Sequence, residues 1–411
     1  VKAQDLLYAK KVINILAAPE MHGRGYVNKG DSLAADFIKE EMILLGLKPL
    51  GNDFFQHFNM SVNTLPSDLK VNINGADLKP CDDFLVYTPS HAVKGTFATV
   101  TINNKTRKKK LERLQKKGIG DKVLIIDPYG KGSKNQDILK SAKFYNLFGA
   151  KAVITLTENE KPLTWSVYSG HLLLDFASLE VKRSSIEGKP KNVSLDIKNK
   201  YFDAYNTQNV IGFIEGTKYP DSFFVFTAHY DHLGRMGANA FFPGAHDNAS
   251  GTAMILDLAG YYTSHPPDYS VAFMAMAGEE AGLLGSKHYT SHPLFPLEKI
   301  KFLINLDMMS TGEDGMMVVN GSVYEDYFAM LTEINNEQKL LKEIKSRGEA
   351  ANSDHYFFYA KGVPSFYFYT LGGYSQYHNI YDIPETLPMY AYNNVFTLIT
   401  LFIDHLSTPK D

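Results

Sequence analysis

With a single cysteine, Cys81, among 411 residues, the chain can form no internal disulfide and no cysteine-ligated zinc site. It contains no apolar run long enough for a signal peptide or a membrane-spanning helix, no internal repeat and no low-complexity tract. It also lacks a strong charge of either sign. The 42 Lys and Arg residues against 45 Asp and Glu leave a formal net charge of −3, which argues against a general nucleic-acid or membrane-surface role. The one sizeable basic run, residues 105–117, reads as a solvated helix face. The first residue is Val1 rather than methionine, so a removed leader or cloning residues are expected before it. What is present is a globular composition, 44% hydrophobic, over a length that allows two to three domains.

Residues 3–17 and 33–45 carry apolar side chains at a spacing near 3.6 and predict two helices, the second stopped by Gly46-Leu47-Lys48-Pro49. Between them Met21-His22-Gly23-Arg24-Gly25 reads as a flexible link in which His22 and Arg24 have loop or capping roles. From about residue 67 to 201 the texture changes to short strand-like runs with a helix predicted at 138–148. That stretch lacks clustered carboxylates and histidines, and Trp165 and His171 within it read as packing or surface residues. Further on, residues 353–361 read as a short helix, 365–369 as a strand and 389–406 as a closing helix.

The chemistry gathers at residues 223–307. The run Phe223-Phe224-Val225-Phe226-Thr227-Ala228 has the aromatic and β-branched content of a strand and stops at His229-Tyr230-Asp231-His232. Residues 270–277 end in Gly278-Glu279-Glu280, residues 301–306 end in Asp307, and Asp247 sits in the turn Gly244-Ala245-His246-Asp247-Asn248 before an amphipathic segment. Open α/β sheets collect ligands outside the carboxyl ends of parallel strands, so these groups are expected to converge. Carboxylates crowded together disfavour one another's ionisation, and a divalent cation resolves the conflict.

Five side chains make a two-metal set: His229, Asp247, Glu280, Asp307 and His378. Mixed imidazole and carboxylate donors suit zinc better than magnesium or calcium, and two ions about 3.5–4 Å apart require one carboxylate to bridge. Asp231 is expected to hold the other nitrogen of His229 without touching metal. Of Glu279 and Glu280, one would ligate and the other move protons. His232, His246 and His355 read as structural or supporting imidazoles.

Residues 228–234, 244–251, 278–285, Asn305-Leu306-Asp307 and 378–382 together resemble the dizinc aminopeptidases of metallopeptidase family 28, whose relatives include glutamate carboxypeptidase and the transferrin receptor. Gly23-Arg24 and residues 45–49 extend the resemblance toward the amino terminus. It implies His229 and Asp307 on one zinc, Glu280 and His378 on the other, Asp247 bridging, and Glu279 as general base. It also implies an inserted protease-associated domain, which residues 140–154 resemble. Two departures stand out. His246 replaces an acidic residue before the bridging aspartate, and no tyrosine precedes Ser353-Asp354-His355, which leaves Tyr377 as the candidate oxyanion donor.

The expected fold is therefore α/β: a mixed, mostly parallel sheet sandwiched by helices, of zinc-aminopeptidase type, with an inserted β-rich domain. The peptidase domain is expected from 1–66 and 202–411 and the insert from 67–201. The expected activity is hydrolysis of the amino-terminal peptide bond of peptides, with two zinc ions per chain and a water deprotonated by Glu279. A free ammonium group would be received by Glu279 and by Asp354 or Glu349, whereas a carboxypeptidase should offer arginines and only Arg235 and Arg347 are at hand. The rival readings are a single-zinc glutaminyl-cyclase-like acyltransferase, a carboxypeptidase on the same fold, and a non-catalytic receptor-like binding protein. A secreted or periplasmic location is expected, with no nucleic-acid partner, no membrane span and the oligomeric state open.

Overall fold

Alternate side chains of residues 223–228 enter two different cores. Phe224, Phe226 and Ala228 pack in one, Phe223 and Val225 in another, so both faces of this strand are covered. The computed structural model, which describes residues 5–128, 135–168 and 173–408, places this strand at Tyr219–His229 in the middle of a nine-stranded sheet. From one edge the order is Lys48–Pro49, Lys200–Ile214, Tyr269–Met276, Tyr219–His229, Ile300–Leu306, Ser365–Leu371, Gly315–Val319 and Ile344–Arg347, with Phe55–Thr64 also paired to Lys200–Ile214. The four strands from Tyr269–Met276 to Ser365–Leu371 are parallel, while Lys200–Ile214 and Gly315–Val319 close them off antiparallel.

Helices Leu6–Leu16, Gly30–Leu44, Ser250–Ser264 and Tyr392–Ser407 supply the core on one face. On the other, Tyr289 of Leu284–Ser291 and Phe358 of His355–Tyr359 pack over Val225, Met274 and Leu303. The first helix starts where Asp5 accepts the N–H groups of Leu7 and Tyr8 at 3.0 and 2.9 Å, and its stripe Ala9, Val12, Ile13 and Leu16 is buried. Helix Ser250–Ser264 is apolar nearly all round because its residues 250–259 are all buried, with Gly251 at its start against the carbonyl of Leu306 and Thr263 and Ser264 exposed at its end. A Cβ at Gly251 would come within 2.4 Å of that oxygen.

The segment between Phe55–Thr64 and Lys200–Ile214 builds its own eight-stranded sheet from residues 70–197, with Phe84–Val86 at one edge beside Ala177–Lys182. One of its faces encloses Ile102, Leu111, Leu124, Ile126 and Phe148. The other face is continuous with the main core through Val86, Ile125, Ile154 and Trp165. The basic run forms helix Lys108–Lys117, of which Leu111 alone is buried, and the helix predicted at 138–148 is confined to Gln136–Ser141. His171 lies outside the described residues. Among the described residues no helix is long and apolar enough to cross a membrane.

Candidate metal centre

The chain passes from strand Tyr219–His229 to Tyr269–Met276 on one side and then returns to Ile300–Leu306 on the other. Strand order therefore reverses at Tyr219–His229, and the crevice at the carboxyl ends of these strands is where such sheets bind ligands. His229 is the last residue of its strand and Asp307 directly follows Leu306. Glu279 and Glu280 lie just past Met276, Asp247 precedes helix Ser250–Ser264, and His378 sits in the loop after Leu371.

The structure brings all five expected ligands together. Nε2 of His229 stands 3.3 Å from Oδ1 of Asp247 and 3.3 Å from Oδ1 of Asp307. Nε2 of His378 stands 3.1 Å from Oδ2 of Asp247 and 3.2 Å from Oε2 of Glu280. The two oxygens of Asp247 thus face different imidazoles, each of which meets a second carboxylate. Donor atoms of His229, Glu279 and Asp307 lie within 4.8 Å of one another, as do those of His232, Asp247 and Glu280. Two imidazole nitrogens and three carboxylates in a nearly dry crevice are a donor set that zinc accepts.

Proton affinities in the crevice are pulled apart. Burial by itself would lower both histidines. For His229, the Glu279 and Asp307 carboxylates override it and hold the ring well above its usual range, and for His378, Glu280 and Asp247 raise it to about 11. Burial would raise Asp247 and Glu280, but His229 and His378 hold Asp247 well below its usual range, and His378 brings Glu280 down to about 2. Burial pushes Glu279 well up, assisted by the charges of Glu280 and Asp307 against the opposing pull of His229. Adjacent glutamates are therefore shifted in opposite directions, one suited to a cation and one to a proton.

Asp231 departs from its expected role in one atom. Nδ1 of His229 is 3.1 Å from the backbone carbonyl of Asp231 and 4.0 Å from its carboxylate. The carboxylate instead accepts the Tyr26 hydroxyl at 3.2 Å and the Glu279 N–H at 3.1 Å, so it positions the backbone of Glu279. Burial raises it to about 7.

The link 21–25 is not flexible. Arg24 is 0% exposed and donates to the carbonyls of Tyr230 (2.7 Å), Leu16 (2.9 Å), Pro243 (2.6 Å), Gly244 (2.7 Å) and Asp247 (3.3 Å). It ties the amino-terminal helix to the loop that carries Asp247. His22 lies beside Arg235, 3.1 Å away.

Several supporting residues had no signal in the sequence pattern. Oδ2 of Asp307 accepts the Ser353 hydroxyl at 3.1 Å and the Tyr367 hydroxyl at 3.4 Å, which leaves Oδ1 toward His229. The Asp382 carboxylate accepts the N–H groups of His246 and Asp247 at 2.9 and 3.1 Å. Nδ1 of His246 meets the Ser310 hydroxyl at 2.7 Å, and Nδ1 of His232 lies 2.7 Å from Oε1 of Glu280. His355 is buried, with its ring tilted 36° to that of Tyr367 at a centroid distance of 5.2 Å. Tyr377, 47% exposed, stacks on His378 with ring centroids 3.8 Å apart. The two residues expected to help receive a substrate ammonium group differ in access. Asp354 is fully buried, and exposed Glu349 accepts the Tyr359 hydroxyl at 2.8 Å.

A paired set of imidazole and carboxylate donors at the switch point of an α/β sheet defines a candidate dinuclear hydrolase centre. Residues 209–403 match the model of peptidase family M28, and this segment is a domain of that family. The chain is 30% identical over 233 residues to aminopeptidase YwaD of Bacillus subtilis, an alignment spanning 55% of this chain and 49% of the relative. A probable zinc metalloprotease of Pyrenophora teres f. teres is 34% identical over 114 residues, 27% of this chain and 24% of its own length. The chain thus spans half or less of the length of these curated relatives. Among solved structures, the zinc aminopeptidase BSAP of Bacillus subtilis superposes with a TM-score of 0.73 at 21% identity, covering 98% of this chain and 95% of that one. An aminopeptidase from Aneurinibacillus sp. strain AM-1 gives 0.68 at 20% identity, covering 100% and 96%. The mixed α/β fold is that of these zinc aminopeptidases.

Proposed function

We propose that the chain is a two-zinc aminopeptidase, with His229 and Asp307 on one ion, Glu280 and His378 on the other and Asp247 bridging. The observation that carries this is Asp247, whose two carboxylate oxygens each face a different imidazole. Two zinc ions there would polarise the scissile carbonyl and acidify the attacking water.

Glu279 takes one proton from that water as its oxygen bonds to the carbonyl carbon, and returns it to the amine nitrogen when the C–N bond breaks. Its raised proton affinity suits both transfers. Asp231 holds the Glu279 backbone during this exchange. Tyr377 is proposed as hydrogen-bond donor to the developing oxyanion. Of the other phenols around the centre, Tyr367 is committed to Asp307, Tyr26 to Asp231 and Tyr374 to Asp382. The residues between Phe55–Thr64 and Lys200–Ile214 are proposed as a protease-associated-type insert.

Selection of a free amino terminus rests on charge. Two zinc ions would carry +4 against the three carboxylates of Asp247, Glu280 and Asp307, so the Glu279 carboxylate, whose proton affinity the ions would lower, brings the crevice to neutrality and is the group left to meet an ammonium. Of the arginines that could clamp a carboxylate, Arg24 is engaged by carbonyls and Arg235 by His22 and the Ala238 carbonyl, while Arg347 stands exposed at the end of the edge strand Ile344–Arg347. The test pairs zinc stoichiometry with a substrate panel. Two ions per chain are expected, and amino-acetylation should lower kcat/KM at least ~100-fold while carboxyl amidation changes little. One ion would favour a cyclase-like enzyme and none a binding module. Cleavage of acetylated but not amidated peptides would make it a carboxypeptidase.

A further inference from the structure

The loop that carries His378 is held by a residue from the other sheet's segment. The Trp165 N–H donates to the His378 carbonyl at 2.9 Å, and Nδ1 of His378 lies 3.1 Å from the Trp165 carbonyl. This two-way main-chain clasp occupies the ring nitrogen opposite Nε2, the atom that faces Asp247 and Glu280. A carbonyl at Nδ1 requires the proton there and leaves the Nε2 lone pair for a cation. The backbone of His378 needs such a restraint, because its φ of 54° lies in the left-handed region that side chains other than glycine rarely adopt.

Trp165 is itself fixed from three sides. Its indole Nε1 donates to the Val86 carbonyl at 2.7 Å, at the end of edge strand Phe84–Val86. Its ring stacks on Phe242, centroids 5.0 Å apart, in the loop that leads to Gly244 and Asp247. The Thr88 hydroxyl donates to the carbonyl of Ser166, and Asn63 from the main sheet donates to the carbonyls of Thr88 and Ser90. The side chain is 4% exposed.

We propose that Trp165 is a positioning residue for the metal centre: through its backbone clasp the inserted segment sets the tautomer and orientation of His378 and so the affinity of one of the two ion sites. The proposal rests on the two-zinc reading for the identity of that site. The inserted segment then controls occupancy of the centre, since anything that shifts Val86 or residues 165–166 releases His378.

The experiment is a double-mutant cycle on zinc affinity, measured by calorimetric titration of the metal-free protein. It compares the native chain with Trp165→Ala, His378→Ala and the double variant, and urea unfolding of each metal-free chain runs in parallel. Trp165→Ala keeps the N–H and carbonyl of the clasp but removes the indole that fixes them, so it should weaken one site by up to about 10- to 100-fold, the cost of losing an outer partner of a metal-binding histidine outright. In the His378→Ala background the same change should cost nothing further, because its effect runs through that ring. Trp165→Phe, which keeps an aromatic ring for the stack on Phe242 and loses the Nε1 donor with part of the ring volume, should give a smaller loss with the same dependence on His378, and it decides the matter if the alanine variant does not fold. Equal losses with and without His378 would show that Trp165 acts on the fold at large and overturn the proposal, as would no loss. A native chain that takes up a single ion defeats the two-zinc reading, while the cycle still reports whether Trp165 acts through His378. A His378→Ala chain that binds zinc like the native one removes the ligand role and the proposal together.

Discussion

A carboxylate that carries a proton and one that holds a cation need opposite proton affinities, and Glu279 and Glu280 meet those needs from adjacent positions. Glu279→Gln preserves shape but cannot accept a proton, so turnover should fall by ~10² to 10⁴ with both ions still bound. Metal loss in that variant would make Glu279 a ligand instead. The histidines give a pH dependence whose sign is fixed. Carboxylates hold His229 well above its usual range and His378 at about 11, so in the metal-free chain the His378 ring is imidazolium at pH 7 and the proton affinity of His229 is shifted the same way. Their ion pairs stabilise the metal-free fold fully below about pH 6.5 and are lost as pH rises through the folded values. Zinc requires neutral rings, so binding must expel these protons, and affinity should rise about tenfold per pH unit for each proton released. Calorimetry in buffers of different ionisation enthalpy measures the release, and zinc uptake at pH 7 with no protons liberated would contradict this charge assignment. At this scale the sequence was informative where a proposed ligand lies at a strand's end, as with His229 and Asp307. It was silent on Tyr367 and Ser353, because a hydroxyl reaching one carboxylate oxygen across strands leaves no spacing to read.

Elements were legible wherever burial on one face imposes a period. The helices Leu6–Leu16 and Gly30–Leu44 follow from their apolar stripes, and the doubly buried strand Tyr219–His229 from its unbroken apolar run. The link at 21–25 was misread because glycine signals freedom and close approach alike. A Cβ on Gly23 would lie 2.5 Å from the carbonyl oxygens of both Gly234 and Phe242, and one on Gly25 would lie 2.4 Å from the Cα of Gly234. These glycines let the chain pass against the metal-bearing loop, and Arg24 then locks it there. Arg24→Met keeps much of the volume and strands the buried carbonyls of Leu16, Tyr230 and Pro243. Orphaned buried acceptors cost about 1–3 kcal/mol each before relaxation, so a loss of about 3 kcal/mol or more is expected in urea unfolding of the metal-free protein. A loss under about 1 kcal/mol would mean that water replaces the guanidinium, and Arg24 would then not be what anchors the Asp247 loop.

For the whole molecule, the change of texture near residue 67 announced a separate run of strands but not how it meets the rest. Nothing in the neighbourhood of Trp165 marks it as more than a packing residue. Its partners, Val86, Phe242 and His378, are 79, 77 and 213 positions away in sequence. That seam makes a strong statement about cooperativity. One apolar core runs from Val86 and Trp165 into Phe242, Ala245 and helix Ser250–Ser264, so the second sheet has no independent boundary along that face. The chain has one tryptophan, and it sits at the seam beside a proposed zinc ligand. Its fluorescence therefore reports the junction, while far-ultraviolet circular dichroism reports both sheets. If the core is a single cooperative unit, the two thermal transitions coincide, the test of two-state behaviour that independent probes provide. Zinc that binds only the folded chain stabilises it by mass action, about 4.1 kcal/mol at a free concentration 1,000 times Kd. Chelation should then move both transitions down together. A fluorescence change that precedes loss of secondary structure, or that chelation shifts alone, would show the seam opening as a separate unit, with the second sheet able to leave His378 while the main sheet stays folded.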